Sequence, residues 1–222
     1  MKIIAKIYTS FKEKFGIPRQ SGLARGRARI VFEPEYRIKE ATTGLLGYSH
    51  LWLIWQFSEA VRDEWSPTVR PPRLGGNKRV GVFATRSPYR PNPIGLSSVK
   101  LISIEEGANG VELIVEGADM LDGTPIYDIK PYLSYTDSHP DAICGFADTV
   151  KEYKLKVIMS DEILSGVDKK YHEEIISILE GDPRPQYQDD PEREYGFLFA
   201  DYEIFFKVDK EALTVTNIIK KV

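Results

Sequence analysis

The chain has 222 residues, of which 42% are hydrophobic and 11% aromatic, so it can bury a core in one large domain or in one domain plus a smaller one. The longest apolar run, residues 51–55 with its flanks, is far shorter than the roughly 20 residues of a membrane-spanning helix, and no signal-peptide pattern opens the chain, so we expect a cytoplasmic protein without membrane contact. The single cysteine, Cys144, excludes an internal disulfide framework, and His50, His139 and His172 lack the spacing of a metal site, so no metal is expected.

Charge is distributed unevenly along the chain, although the formal net charge is only -3. In residues 1–100, Lys and Arg exceed Asp and Glu by 11, whereas in residues 101–222 the acidic residues exceed the basic ones by 14. The first half therefore suits a phosphate-bearing partner. An equally open interpretation is that the two halves neutralise each other in the folded protein.

Short runs rich in β-branched and aromatic residues predict six strands in the first two thirds of the chain. Gly, Pro, Asn or Asp bound the runs, which are residues 2–11, 24–34, 49–57, 79–87, 97–106 and 111–121. No helix-length amphipathic segment separates them, so a closed or nearly closed sheet is predicted rather than a parallel one. Residues 51–57 are apolar without clean alternation, which predicts a strand buried on both faces or nearly so.

After about residue 150 the pattern indicates a small α+β domain. Tyr171, Ile175, Ile176 and Leu179 fall at helical spacing, and Gly181 ends the predicted helix. A loop follows, and residues 197–218 then predict a strand, a turn near residues 209–211 and a second strand. We therefore expect a mainly β fold, with an N-terminal β-barrel domain at residues 1–150 and a small α+β C-terminal domain at residues 151–222.

Four loops combine stiff backbone with polar side chains, which is typical of a ligand site. Pro88, Pro91 and Pro93 restrict one of them, because each fixes its own φ and biases the preceding residue toward extended geometry. The loops hold arginine and carboxylate groups that suit a ligand with phosphate, ribose and purine parts, and they span residues 15–29, 66–79, 85–96 and 118–133. Ordinary turns with surface charge are the alternative. No P-loop, dinucleotide-binding fingerprint or nucleophile elbow occurs in the sequence.

Motifs in these loops, in their order along nearly the whole chain, resemble the TsaA-like family of tRNA methyltransferases. The similar stretches are residues 11–23, 66–101, 119–133 and 181–187. The resemblance implies an N-terminal β-barrel with an S-adenosylmethionine site, a small α+β C-terminal domain and a homodimer that completes the site. It also implies methylation of the exocyclic nitrogen of N6-threonylcarbamoyladenosine, the base 3′ of the anticodon at position 37 of threonine tRNA.

Carried over motif by motif, the resemblance implies S-adenosylmethionine contacts from Pro18, Arg19, Gln20, Ser58, Glu59, Arg86, Leu96, Asp119, Met120, Leu121 and Asp122. The family usually has a histidine after the phenylalanine that corresponds to Phe57, and this chain has Ser58 and Glu59 there instead. That contact departs from the family pattern.

Transfer to a ureido-like nitrogen requires a group that takes its proton, and a carboxylate with a raised pKa or a tyrosine can do so, which makes Asp128 and Tyr89 the candidates. Arg90 or Arg73 can pair with the substrate's threonyl carboxylate. The full set of predicted tRNA-binding residues is Arg25, Arg27, Arg29, Arg70, Arg73, Lys78, Arg79, Arg90 and Asn92. The first three alternate at period two, which places them on one face of a strand. A non-catalytic RNA-binding barrel and a sensor of a nucleotide-like small molecule remain alternatives.

Overall fold

A computed structural model of the protein describes residues 1–71, 74, 78–108, 110–149, 153–184 and 190–221. The prediction of a mainly β fold is confirmed. The strands of the first part are β1 (Ala5–Tyr8), β2 (Arg27–Phe32), β3 (His50–Gln56), β4 (Thr68–Val69), β5 (Val80–Gly81), β6 (Ile94–Gly107), β7 (Gly110–Glu116) and β8 (Thr124–Pro131). They are followed by α1 (Ser134–Asp137), β9 (Lys156–Ile158), α2 (Asp161–Ser165), α3 (His172–Glu180), β10 (Tyr195–Phe199), β11 (Tyr202–Asp209) and β12 (Ala212–Lys220).

Six antiparallel strands form a closed barrel in the order β1-β2-β7-β6-β3-β8. The barrel closes where β1 pairs with both β2 and β8, so that Ala5 lies opposite Phe32 on one side and Ile126 on the other. Alternate residues of each strand point inward, as the period of a strand requires. The interior is apolar and includes Ile7, Ile30, Leu51, Leu53, Trp55, Val99, Leu113, Val115 and Ile126.

Strand β3 alternates between buried and half-buried residues, so the prediction that it is buried on both faces or nearly so holds fully only for its inner face. Leu51, Leu53 and Trp55 point into the barrel and are buried, whereas Trp52 and Ile54 on the outer face are only half-buried. A barrel strand is covered on its inner face by the opposite wall, while its outer face needs a separate element to cover it. The apolar outer residues hid this alternation in the sequence.

Two further differences concern the loops. Residues 124–131, which the sequence interpretation placed in a loop, form β8. The strand tolerates Pro125 and Pro131 because they lie near its ends, where a missing amide donor is accommodated. Residues 79–87, predicted as a strand, form only the two-residue strand β5, which is followed by a 3-10 turn at Val82–Ala84.

The second sheet has the order β10-β11-β12-β9, with β9 parallel to β12. Helix α3 ends at Glu180, just before Gly181, as predicted, and the turn between Asp209 and Ala212 is also confirmed. A second turn, at Ala200 with φ 50°, was missed and divides the first predicted strand into β10 and β11. No helix within the described residues is long and apolar enough to cross a membrane.

An N-terminal segment joins the barrel to the second sheet. Phe11 forms a β-bridge with Phe199, the amide of Ala200 donates to the carbonyl of Ser10 at 2.7 Å, and the amide of Leu198 donates to the carboxylate of Glu13, also at 2.7 Å. The side chains of Phe11, Phe15, Ile17 and Ala24 pack in the core of the second sheet. The division at residues 150 and 151 stays a prediction, since residues 150–152 lie outside the described part.

A buried carboxyl group forms another contact between the two parts. Glu174 of α3 is only 4% exposed, and its carboxylate lies against the backbone of Gly26, where any Cβ would overlap it. Burial raises the pKa of Glu174 from its ordinary value of 4.5 to about 7. The contact therefore favours the protonated carboxyl group.

A close approach of two glycines fixes the loop before β2 beside the segment after β7. The amide of Gly22 donates to the carbonyl of Gly117 at 2.8 Å, and the amide of Gly117 donates to the carbonyl of Gly26 at 3.0 Å. Gly117 has φ +88°, and a Cβ there would lie 3.2 Å from the N and Cα atoms of Gly22. Glycine suits both the positive φ and the close spacing, whereas any other residue would strain the backbone and push Gly22 away by a few tenths of an ångström.

Gly117→Ala is expected to lower the free energy of unfolding more than Gly123→Ala. Gly123 also has a positive φ, +78°, but no atom lies within 4 Å of its would-be Cβ, so its substitution costs only the dihedral penalty of about 1–2 kcal/mol. At Gly117 the clash with Gly22 adds about 1–3 kcal/mol. Urea unfolding of both variants measures the difference, and equal losses would contradict a tight contact between Gly22 and Gly117.

Stability is expected to fall as the pH rises from about 4.5 to about 7, because the pKa of Glu174 is higher in the folded protein than in the unfolded chain. Glu174→Gln should remove this dependence and raise the free energy of unfolding at pH 8 by up to about 3 kcal/mol. The control is Glu173→Gln, which changes an exposed charge on the same helix. Thermal unfolding measured across this pH range tests the prediction. If stability falls with pH equally steeply in Glu174→Gln and in the unsubstituted protein, the assignment to Glu174 is refuted.

Candidate functional site

Two of the stiff loops meet at a hydrogen bond between Arg86 and Gln20. Nη1 of Arg86, which follows β5, donates to Oε1 of Gln20, which precedes β2. Arg86 is exposed and Gln20 is half-buried, so both remain open to a ligand. The structure thus brings together two of the residues that the sequence assigns to the cofactor.

Asp119 is held by a hydrogen-bond chain that begins inside the barrel, and it lies close enough to Arg86 for the charge of Arg86 to act on it. Nε1 of Trp55 donates to Oγ of Ser97 at 3.0 Å, and Oγ of Ser97 donates to Oδ1 of Asp119 at 2.6 Å. Burial raises the pKa of Asp119, while the bonds from Ser97 and from the Ser21 backbone and the charge of Arg86 oppose that rise. The result is an oriented, half-buried carboxyl group near Arg86 and the backbone of Ser21.

Ser97, which bridges Trp55 and Asp119, is a residue of this cluster that the sequence interpretation missed. It is 1% exposed on the inner face of β6, and the neighbouring inward position, Gly95, leaves space that the Trp55 ring fills. A lone hydroxyl at an inward strand position needs a hydrogen-bond partner, because burying it without one is costly. In the sequence, the position of Ser97 between Gly95 and Val99 in an alternating strand pattern was the signal that could have indicated a buried hydroxyl group with a hydrogen-bond partner.

The segment from Asp119 to Asp122 has two sides. Met120 is fully buried and offers a ligand only its backbone, whose carbonyl accepts from Oγ1 of Thr9 at 3.0 Å. Asp122 has partners of its own: it accepts from the amide of Thr9 at 2.9 Å and forms an ion pair with Lys12 at 2.8 Å. It lines a cavity of about 370 Å³ together with Tyr8, Thr9, Ser10, Lys12, Arg27, Ala28, Arg29 and Ile114. Of the two carboxylates, Asp119 is the one on which the charge of Arg86 acts.

Arg19 contacts the C-terminal part. Its Nη2 donates to the carbonyl of Asp182 at 2.9 Å and to that of Arg184 at 3.4 Å, so this loop is held from both sides. Pro18, before it, is half-buried. Cofactor contact by Pro18 and Arg19 stays a prediction.

The turn that departs from the family pattern lies near the same loop. Ser58 and Glu59 form a 3-10 turn after β3, and the carboxylate of Glu59 lies 2.9 Å from Nζ of Lys14. This ion pair links the turn to the loop that carries Gln20. Their cofactor contacts, like those of Leu96 and half-buried Leu121, stay predictions.

The two proposed proton acceptors lie on different elements. Asp128 of β8 lies opposite Ile54, which lies opposite the exposed Leu96, so the three form a row on the outer face of the barrel. Nζ of Lys130 lies 2.8 Å from the Asp128 carboxylate. Tyr89 lies in the loop after Arg86.

The predicted basic strand has the expected alternation. Arg25, Arg27 and Arg29 are all exposed, while the residues between them are buried. Arg29 is also an internal contact: its Nη1 lies 3.2 Å from Glu112, and its guanidinium lies 5.5 Å from the centre of the Tyr8 ring. The side chains of Arg25 and Arg27 provide the more open contacts for a phosphate backbone.

The remaining predicted tRNA contacts surround the β4–β5 hairpin and the loop after it. Arg70, Lys78, Arg79 and Asn92 are exposed, and Nη1 of Arg79 donates to Oγ1 of Thr68 at 2.8 Å. Arg90 is half-buried, with Nη1 at 3.4 Å from the carbonyl of Thr85. Arg73 lies outside the described residues. The described part of the chain contains no cluster of three or more His, Cys, Asp or Glu side chains suited to a metal ion.

Two family models match the chain over most of its length. The model of the tRNA-methyltransferase O N-terminal domain matches residues 6–138, and the model of the TrmO C-terminal domain matches residues 152–221. These ranges include every predicted cofactor-binding residue. They agree with the two-part organisation of the sheets.

Relatives with curated names span nearly the whole chain. A tRNA (adenine(37)-N6)-methyltransferase from Escherichia coli (strain K12) is 39% identical over 216 residues, which is 92% of this chain and 91% of the relative. A putative S-adenosylmethionine-dependent methyltransferase RcsF from Pseudomonas aeruginosa is 41% identical over 209 residues, covering 90% of this chain and 89% of its own. A crystal structure of TrmO from Pseudomonas aeruginosa superposes with a TM-score of 0.80 at 33% identity, over 98% of this chain and 95% of the other.

Proposed function

The chain belongs to the tRNA-methyltransferase O family of S-adenosylmethionine-dependent tRNA adenine(37)-N6-methyltransferases, and we propose that its acceptor is the exocyclic nitrogen of N6-threonylcarbamoyladenosine at position 37 of threonine tRNA. The observation that carries the proposal is the cluster of Gln20, Arg86, Asp119 and Ser97, which are far apart in sequence. Arg86 donates to Gln20, Ser97 donates to Asp119, and the charge of Arg86 acts on the Asp119 carboxyl group. The position of this cluster at the ends of stiff loops suits a site that must align two reactants.

The side chains of this cluster fit S-adenosylmethionine by their chemistry. The Arg86 guanidinium suits the carboxylate, the Gln20 amide suits the adenine edge, and the Asp119 carboxylate suits the ribose hydroxyls or the ammonium group. When bound, S-adenosylmethionine supplies the methyl group from a sulfonium cation. The protein therefore has to align the groups and exclude water, and it needs no covalent nucleophile.

The acceptor nitrogen must lose its proton during or after methyl transfer. We assign this proton to the carboxylate of Asp128 or to the phenolic oxygen of Tyr89. Arg90 or Arg73 pairs with the threonyl carboxylate through a bidentate contact. Recognition of this carboxylate is how the enzyme distinguishes the modified base from plain adenine.

The basic surface supplies affinity for the tRNA backbone. Arg25 and Arg27 on the barrel and Arg70, Lys78 and Arg79 at the hairpin are exposed cations that suit phosphates. Such contacts carry no sequence information, so selectivity falls to the base itself. Assembly as a homodimer that completes the site stays a prediction.

Labelled methyl groups should be transferred to threonine tRNA that carries the threonylcarbamoyl group and not to the same tRNA without it. Arg86→Ala and Arg90→Ala should each lower the rate at least about tenfold, as expected when a charged hydrogen bond is lost. Lys169→Ala, which removes an exposed cation in the C-terminal part, is the control. Equal labelling of both tRNAs would refute the proposed acceptor, and cofactor binding without any labelling would favour an RNA-binding barrel or a sensor.

Asp119→Asn should weaken S-adenosylmethionine binding about tenfold or more, because a charged acceptor is replaced by a neutral one. Asp128→Asn and Tyr89→Phe should instead lower kcat, by about 100-fold or more for whichever group takes the proton, with cofactor affinity unchanged. Calorimetry and single-turnover methyl transfer separate the two effects. If neither Asp128→Asn nor Tyr89→Phe changes kcat, the proton is taken by another group.

A further inference from the structure

Two large aromatic rings lie exposed on the hairpin side of the candidate site. Phe83 is 72% exposed and Trp65 is 50% exposed, and their rings stack with centroids 6.0 Å apart at an interplanar angle of 30°. Large apolar side chains that are exposed together on a folded domain mark a binding surface more often than isolated ones do. We call this pair the aromatic platform.

Backbone pairing holds the platform in place. Strands β4 and β5 pair Thr68 with Gly81 and Val69 with Val80, and the amide of Val82 donates to the carbonyl of Pro67 at 2.9 Å. Trp65 and Phe83 lie just outside these paired residues, on opposite arms of the hairpin. The rings are thus ordered before any partner arrives, which lowers the entropic cost of binding.

The surroundings of the platform are basic. Residues 62–92 contain seven Lys or Arg residues and two Asp or Glu residues. On the same two arms, the guanidinium of Arg62 stacks 4.0 Å above the centre of the Tyr89 ring. Arg86 of the candidate cofactor site lies between Phe83 and Tyr89 in the chain. Cations interleaved with aromatic faces are the combination that binds single-stranded nucleic acid.

We propose that Trp65 and Phe83 stack against an unpaired nucleobase of the anticodon loop that neighbours the methylated base. This inference rests on the proposed tRNA substrate and adds a recognition site to it. Every base has a π-face, so the platform holds the loop open without selecting its sequence, while the modified base is read elsewhere. A protein partner is less suited to this surface, because the basic side chains around the rings would have to be matched by an acidic patch.

Binding to two RNAs tests the platform without any methyl transfer. The probes are a threonine anticodon stem-loop with ordinary adenine at position 37 and a blunt RNA duplex with the same number of phosphates. Trp65→Ala and Phe83→Ala should each weaken stem-loop binding about 5- to 100-fold and leave duplex binding unchanged. Trp65→Phe and Phe83→Tyr, which retain a ring, should restore most of the affinity.

Two control variants separate stacking from charge. Lys78→Ala should weaken the binding of both RNAs and reduce the salt dependence of binding by about one counterion. The platform variants should leave the salt dependence unchanged. Tyr135→Ala removes another ring, 86% exposed, in the acidic half of the chain and should leave RNA binding unchanged.

Three results would overturn the platform. The first is an unchanged stem-loop affinity in both alanine variants, and the second is an equal loss of affinity for the stem-loop and the duplex. The third is a molecular mass of the alanine variants, measured by light scattering, that differs from that of the unsubstituted protein, which would show that a second copy of the chain covers the rings. Absence of methyl transfer by the unsubstituted protein would refute the proposed function. The binding measurements would still test the platform, because they do not depend on methyl transfer.

Discussion

The contact between the backbones of Gly22 and Gly117 sets the geometry on which the candidate site depends. It places the loop with Gln20 against the segment with Asp119 at so close a spacing that a Cβ at Gly117 would lie 3.2 Å from the backbone of Gly22. From there, Ser97 and Trp55 connect Asp119 to the apolar interior, so the barrel wall orients a polar group outside it. A site whose reactants must be aligned gains from such rigid support.

The sequence left two interpretations of the uneven charge open, a basic surface for phosphates and mutual neutralisation of the two halves, and each describes part of the basic residues. Some basic residues of the first half pair with acidic residues of the second, as Arg29 does with Glu112 and Lys12 with Asp122. Others, such as Arg25, Arg27 and Lys78, are exposed to solvent. The acidic half thus fixes part of the basic half in position while a basic surface remains for phosphates.

Periodicity and turn residues predicted most strands and the helix ending before Gly181, whereas the assignment of Gln20, Arg86 and Asp119 to one site came from the family resemblance. They failed where tertiary context decides: Trp52 and Ile54 look like core residues but lie on the outer face, and Pro125 and Pro131 look like loop residues but lie in a barrel strand. Ser97 was missed because its role comes from Trp55, a partner on the neighbouring strand. The exposure of Trp65 and Phe83 likewise follows from the folded hairpin and not from local pattern.

The N-terminal segment that packs with the second sheet has a consequence for protein synthesis. Phe11 pairs with Phe199, so the loop that carries Gln20 completes its packing only after nearly the whole chain has left the ribosome. At about 5–20 residues per second, the apolar side chains of this segment wait on the order of ten seconds or longer for their partners. During translation this apolar segment therefore stays exposed next to the nascent barrel, and folding is completed only when the last strands have been made.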